Sequence, residues 1–223
     1  NDTVVTTVEQ CQMQGRVIAK TQKASITLPN GSYKTKNIDW ILHNNNGYLF
    51  IDNKNIRVSN KMETGKWSNC VISTSYPKEE IALNMFSIEI MHGVNPSQGQ
   101  YAYAIIPGTN EKQMNQYLSK PFFHIIANNP EVQAVENANH TIVYITFYQA
   151  GKLLLTEQKD IKVSQPCMLI IKNEKLFVSD PSRRLDDIKI EYNGSLIELA
   201  LPTWQYAGMT IPVDLTKYKK TVH

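Results

Sequence analysis

The stretch Ile81–His92 (IALNMFSIEIMH) decides the fold, because it is apolar and long enough to be either a helix or a strand. Met85, Ser87, Glu89 and Met91 alternate with Phe86, Ile88 and Ile90, a period of two residues rather than 3.6, which predicts a strand with one mostly buried face. Upstream, the β-branched run Thr3–Val8 (TVVTTV) favours a pleated surface over the crowded turn of a helix. Arg16–Lys20 and Ala24–Leu28 continue in that style until Pro29-Asn30-Gly31-Ser32 supplies turn chemistry. Strands are next expected over Ile38–His43 and Tyr48–Ile51, joined by Asn44-Asn45-Asn46-Gly47, whose Asn-Gly pair tolerates positive φ and is the strongest local hairpin signal. A further turn at Asp52–Asn55 precedes Ile56–Ser59; it is not a calcium loop, since Lys54 stands at the third position, where an oxygen ligand is required.

Downstream, the loop Gly93–Gln100 leads into Tyr101–Ile106, closed by Pro107-Gly108. Asn110–Ser119 (NEKQMNQYLS) places Met114, Tyr117 and Leu118 at helical spacing and is followed by Pro121, which predicts a short helix joining two modules. Short strands then resume, from Phe122–Ala127 to Thr210–Asp214, with breaks at signals such as Asn128-Asn129-Pro130, Asn173-Glu174 and Asn193-Gly194. Strands so closely spaced, with almost no helix, point to antiparallel sandwiches rather than a parallel βαβ sheet. The expected architecture is all-β in two domains, residues 1–112 and 113–223, with the linker near 109–121.

Composition agrees with a globular chain. Of 223 residues, 42% are hydrophobic and 19% charged, which excludes collagen-like and disordered classes. The net charge of +3 is too small to argue for nucleic acid or an anionic membrane surface. No apolar run approaches the ~20 residues that a membrane-crossing helix needs, so neither nucleic acid nor membrane is an expected partner. The chain starts at Asn1 without an initiator Met or signal-like segment, from which a processed or cut piece is expected. Cys11, Cys70 and Cys167 cannot all pair with one another and match no zinc or redox spacing, so they are expected as buried thiols. The sequons at Asn1, Asn30, Asn139 and Asn193 carry meaning only in a eukaryotic secretory setting.

Chemistry-bearing motifs are scarce. There is no G-x-S-x-G elbow, phosphate-binding loop or H-E-x-x-H helix, and His43, His92, His124, His140 and His223 are scattered. A histidine at a strand end is more often satisfied structurally than used as a base. Glu79-Glu80 and Asp186-Asp187 are adjacent pairs, which on a strand point to opposite faces and share no site. No metal or cofactor is expected. Exposed aromatics are the usual means of holding sugars, but Trp40, Tyr48, Trp67, Tyr101 and Tyr103 sit inside strand patterns, where large rings more often belong to the core.

Several phrases, in order, resemble polysaccharide lyase family 8, which includes chondroitin, hyaluronate and xanthan lyases. Thr6-Thr7-Val8-Glu9-Gln10 is similar to its T-T-hydrophobic-N-Q stretch, with Glu9 where Asn is more usual. Trp40–Tyr48 resembles its W-x-x-H-x-x-x-G-Y hairpin, with His43 and Gly47 in place, and Gly65-Lys66-Trp67 its following G-x-W. His92-Gly93, Pro96, Tyr101-Ala102-Tyr103 and Pro107-Gly108 resemble its H-G-x-x-P…Y-x-Y…P signature, with Met91 where an acidic or polar residue is common. Asn128–Val135 and Leu176–Ser182, with the turn Val178-Ser179-Asp180-Pro181-Ser182, are similar to its C-terminal domain.

The resemblance implies the later part of a β super-sandwich followed by a smaller C-terminal β-sandwich. It implies a secreted or periplasmic bacterial enzyme that cleaves uronic-acid-containing polysaccharides by β-elimination. The family's catalytic Asn, His, Tyr and Arg lie on an N-terminal α/α toroid, with an associated Glu early in the super-sandwich, so no catalytic residue is assigned here. The implied partners are that toroid, the early super-sandwich and the polysaccharide. Trp40, His43, Trp67 and Tyr101 are the candidate carbohydrate contacts. A free-standing carbohydrate-binding or adhesion module is the alternative expectation.

Overall fold

The computed structural model describes residues 3–52, 55–72 and 75–218, and the chain divides into two units, Asn1–Lys120 and Pro121–His223. The first unit holds β1 (Thr3–Gln12), β2 (Val17–Thr21), β3 (Ser25–Thr27), β4 (Gly31–Thr35), β5 (Ile38–His43), β6 (Asn46–Asp52), β7 (Ile56–Gly65), β8 (Ile81–Val94), β9 (Ala102–Ile106) and the helix α1 (Glu111–Ser119). They form two antiparallel sheets in the orders β1-β8-β7-β4 and β3-β2-β5-β6-β9. On β8 the expected alternation is realised: Phe86, Ile88 and Ile90 are buried, while Met85, Ser87 and Glu89 are only half-buried. Those three core residues join Val17, Ile41, Tyr48, Phe50, Ile56 and Val58 in the layer between the sheets.

Burial in β5 does not alternate, because the far side of its sheet is covered as well. Ile38 to Ile41 are all buried, and Trp40, Ile18 and Leu49 pack against Met114 of α1. The helix begins with a capping box: Asn110 Oδ1 accepts the Gln113 backbone N–H at 3.0 Å, and Gln113 Oε1 accepts that of Asn110 at 3.1 Å. Through Met114 the helix belongs to the first unit, and the division falls between Lys120 and Pro121 rather than at the expected residues 112 and 113.

The β5–β6 hairpin corrects the sequence reading. Asn44 and Asn45 take the positive φ values of 46° and 63°, and Asn46-Gly47 already opens β6. Gly47 is needed for space, since a Cβ there would lie 2.3 Å from the Met114 sulfur. Gly31-Ser32, read as part of a turn, begins β4, which pairs with β7 from Gly31↔Asn60 to Thr35↔Ile56. Of the Asp52–Asn55 turn, Asn53 and Lys54 lie outside the described residues.

The second unit holds β10 (Phe123–Asn128), β11 (Val132–Asn137), β12 (Ile142–Phe147), β13 (Gly151–Thr156), β14 (Lys159–Val163), β15 (Cys167–Lys172), β16 (Lys175–Ser179), β17 (Asp187–Tyr192), β18 (Ser195–Ala200) and β19 (Ile211–Asp214). Its sheets run β10-β11-β12-β15-β16-β19 and β13-β14-β17-β18. The turns Asn173-Glu174 and Asn193-Gly194 have positive φ at both residues, as the tightest hairpins demand. Ile145, Leu169, Leu176 and Val178 from one sheet share a single core with Ile161, Ile188, Ile190 and Ile197 from the other.

Candidate functional site

Two of the four sequence candidates are closed to a polymer. Trp40, at 0% exposure, lies beneath α1, and its indole N–H donates to Asn115 Oδ1 at 3.3 Å. His43, at 3%, packs its ring 4.1 Å from that of Phe86, and its Nε2 accepts the Gln14 backbone N–H at 3.0 Å. Their place in the hairpin phrase is explained by packing, which leaves neither ring a face for a sugar.

The groups around His43 form a structural network rather than a nucleophilic one. The Cys11 sulfur stands 4.0 Å from His43 Nδ1, which invites comparison with a thiolate–imidazolium pair. Burial lowers the His43 pKa against the opposing charge of Glu9, and burial, then Glu9, raises that of Cys11. Both shifts favour the neutral forms, the opposite of what such a pair requires. The Tyr48 hydroxyl donates to Glu9 Oε2 at 2.9 Å; burial first, then that bond, pushes its pKa further up. The cysteines differ from expectation: Cys70 is exposed and Cys11 half-buried, whereas Cys167 is buried, its pKa pushed up to about 12 by burial and then by Asp180.

The other two candidates are accessible. Trp67 is 43% exposed in a short 3-10 turn after β7, and its ring stacks on Tyr76 at 5.2 Å and 23°. Tyr101 is 42% exposed, tilted against His92 at 5.5 Å and stacked on Tyr103 at 6.1 Å. Tyr101 and Tyr103 are two residues apart, so the pleat turns them to the same side. His92 Nε2 is 2.8 Å from the Thr6 hydroxyl. Arg57 is engaged by Glu89 in an ion pair. Among the described residues no group of three or more His, Cys, Asp or Glu is placed to hold a metal.

In the second unit, sequence reasoning singled out the turn containing Asp180 without reading the role of its carboxylate, and it passed over Trp204. Asp180 is buried and its carboxylate organises the following loop: Oδ1 accepts the Ser182 N–H at 2.8 Å and hydroxyl at 2.6 Å, and Oδ2 accepts the N–H groups of Arg184 at 2.7 Å and Leu185 at 2.8 Å. Burial alone would raise this carboxyl, but those bonds outweigh it and hold its pKa down at about 2. Trp204 is 90% exposed and carries a φ of 57°. Its one signal in the sequence is an aromatic side chain outside any strand pattern, between Pro202 and Gly208.

Residues 1–118 match the family model described as polysaccharide lyase family 8, super-sandwich domain. Residues 124–189 match that described as polysaccharide lyase family 8, C-terminal beta-sandwich domain. A chondroitinase-AC of Pedobacter heparinus is 28% identical over 224 residues, covering 94% of this chain and 31% of that protein. A hyaluronate lyase of Thermasporomyces composti is 22% identical over 201 residues, covering 86% of this chain and 24% of that protein. A solved structure of chondroitinase AC lyase, from work on its oligosaccharide complexes, superposes with a TM-score of 0.83 at 26% identity, over 95% of this chain and 32% of that one. The fold is also that of a Paenibacillus xanthan lyase, at a TM-score of 0.74 and 20% identity over 84% of this chain and 19% of that one. The chain thus spans about a third or less of the length of these relatives.

Proposed function

The chain belongs to polysaccharide lyase family 8, and from that premise we propose that it is the C-terminal β portion of a secreted or periplasmic bacterial lyase acting on chondroitin- or hyaluronan-type polysaccharides. In this reading the chain does not perform the β-elimination. It supports the cleft and the fold, alongside an α/α toroid and an early super-sandwich. The observation that carries the reading is coverage: the two matched β domains account for most of this chain, while the chain accounts for 31% of the matched chondroitinase-AC.

Side-chain chemistry supports the same division of labour. A C5 proton beside a carboxylate is weakly acidic, so its removal needs a base and a charge neutraliser held together on one substrate pose. His43 and Tyr48 are buried, and Arg57 is taken up by Glu89. His92 with Tyr101 is the histidine–tyrosine ring contact that a sugar can approach, and it makes the reading falsifiable. Incubated with chondroitin sulfate or hyaluronan, the 223-residue chain is expected to give no rise in the ultraviolet absorbance of unsaturated uronate. A rise proportional to protein, abolished by His92→Ala, would overturn the non-catalytic reading.

A further inference from the structure

We propose that the second unit carries a binding site for a segment of acidic polysaccharide, in the groove between the loop after Asp180 and the loop from Trp204 to Met209. Tyr206 supplies a ring face in the groove wall and Arg183 the cation, while Trp204, which opens the second loop, adds an exposed ring outside that wall. Trp204 adopts a φ of 57°, a conformation that bulky L-residues avoid because it costs energy, yet its side chain is 90% exposed and returns no core packing. Tyr206 and Met209, later in the same loop, are exposed as well. Strain without burial is what a side chain presented to a ligand looks like.

The backbone around these residues is clamped. Asp180 fixes one loop through its bonds to Ser182, Arg184 and Leu185. The Ser179 hydroxyl ties it to the other by donating to the Gly208 carbonyl at 2.9 Å. Gly208, at a φ of 85°, lets the loops meet: a Cβ there would lie 2.9 Å from Arg183 Cγ and 3.1 Å from the Asp180 carbonyl oxygen. Arg183 itself holds a φ of 60°. The result is an open groove of about 440 Å³ lined by Pro181, Arg183, Gln205, Tyr206, Ala207, Gly208 and Met209, with no acidic residue in its wall; Trp204, next to Gln205 in the chain, stands outside that wall.

Charge selects the occupant. Among the described residues neither Arg183 nor Arg184 enters an ion pair, so the guanidinium at the groove is available to a carboxylate or sulfate, which it takes up as a planar fork of donors. Aromatic faces next to such a cation suit the apolar side of a pyranose whose edge carries the anion. The preference for an acidic over a neutral glycan rests in part on the lyase reading; the site itself rests on the groove holding Arg183 and Tyr206 between clamped loops, with the strained, exposed Trp204 at the start of one of them.

Affinity electrophoresis of the intact chain through gels containing chondroitin sulfate, hyaluronan or neutral dextran tests the proposal. Retardation by both acidic polymers and not by dextran is expected, with affinity about tenfold weaker in Trp204→Ala and in Arg183→Gln. Trp204→Gly removes the ring and suits the positive φ, so it separates lost binding from lost folding; a thermal melt of each variant confirms the fold. Equal retardation in dextran overturns the proposal. So does acidic-polymer retardation that survives these substitutions or is lost only in Trp67→Ala. Unsaturated product from the wild-type chain would sink the non-catalytic reading, while Trp204-dependent retardation would still support this site.

Discussion

Asp180 contributes to stability through one carboxylate accepting from Ser182, Arg184 and Leu185. The ordinary value of its pKa is 3.8, and in the folded chain it is held at about 2. A lowered folded pKa means stability that is present above the ordinary value and is lost as pH falls from there through about 2. That loss is expected to be on the order of 2 kcal/mol. Asp180→Asn keeps the shape but lacks the charge, so urea unfolding of the variant is expected to show lower stability at neutral pH. The gap should narrow as the wild-type carboxyl protonates. At Trp204 the sign reverses: Trp204→Gly relieves the positive φ and is expected to raise stability by up to about 1 kcal/mol, read as a higher denaturant midpoint. A residue whose loss stabilises the fold while weakening binding is being held for its ligand. The strain at Trp204 was illegible in the sequence: an aromatic outside any strand pattern marks a loop, which has no period to violate, and only the backbone angle gives the strain away.

The helix α1 and the β5–β6 hairpin form one packed element. Met114 is buried against Trp40, Ile18 and Leu49, and removing it leaves a cavity beneath the helix. Met114→Ala is expected to cost about 3 kcal/mol in a thermal or urea melt. Gly47→Ala tests the same contact from the other side, since its Cβ would fall 2.3 Å from the Met114 sulfur and 2.8 Å from Thr109 Cγ2. The alanine is expected to destabilise strongly in the wild type and much less in Met114→Ala, so the double-mutant cycle shows a coupling energy well above the additive error. Additive costs would mean that the helix is not seated on Gly47. Strand existence at this scale was legible: Ile38–His43 matches its expected bounds, because a short apolar run closed by an Asn-rich turn encodes it. The reason for Gly47 was not, because it depends on a methionine that meets it only after folding.

Across the whole molecule, the sequence revealed which segments are strands but not which strands meet. β8 pairs with both β1 and β7, and a partner many residues away leaves no mark in a local pattern. One consequence is a ribbon that local reading could not foresee. Lys61–Gly65 pairs with Ile81–Met85, whereas β4 reaches along β7 only to Asn60 and β1 along β8 only to Met85. Past a last bond from the Met13 N–H to the Asn84 carbonyl at 2.8 Å, the end of the β7–β8 pair runs on, among the described residues, as two strands without neighbours in its sheet, with Met62, Ile81 and Leu83 exposed. Bare strand edges bearing apolar side chains are templates for association. The isolated chain is expected to self-associate with rising concentration, seen by light scattering. Replacing Ile81 and Leu83 together by lysine is expected to suppress the scattering and leave the melting temperature nearly unchanged, since neither side chain contributes to a core. Scattering that persists in the double variant would remove the ribbon as its cause. A lower melting temperature would mean that these two side chains pack more closely than their exposure implies.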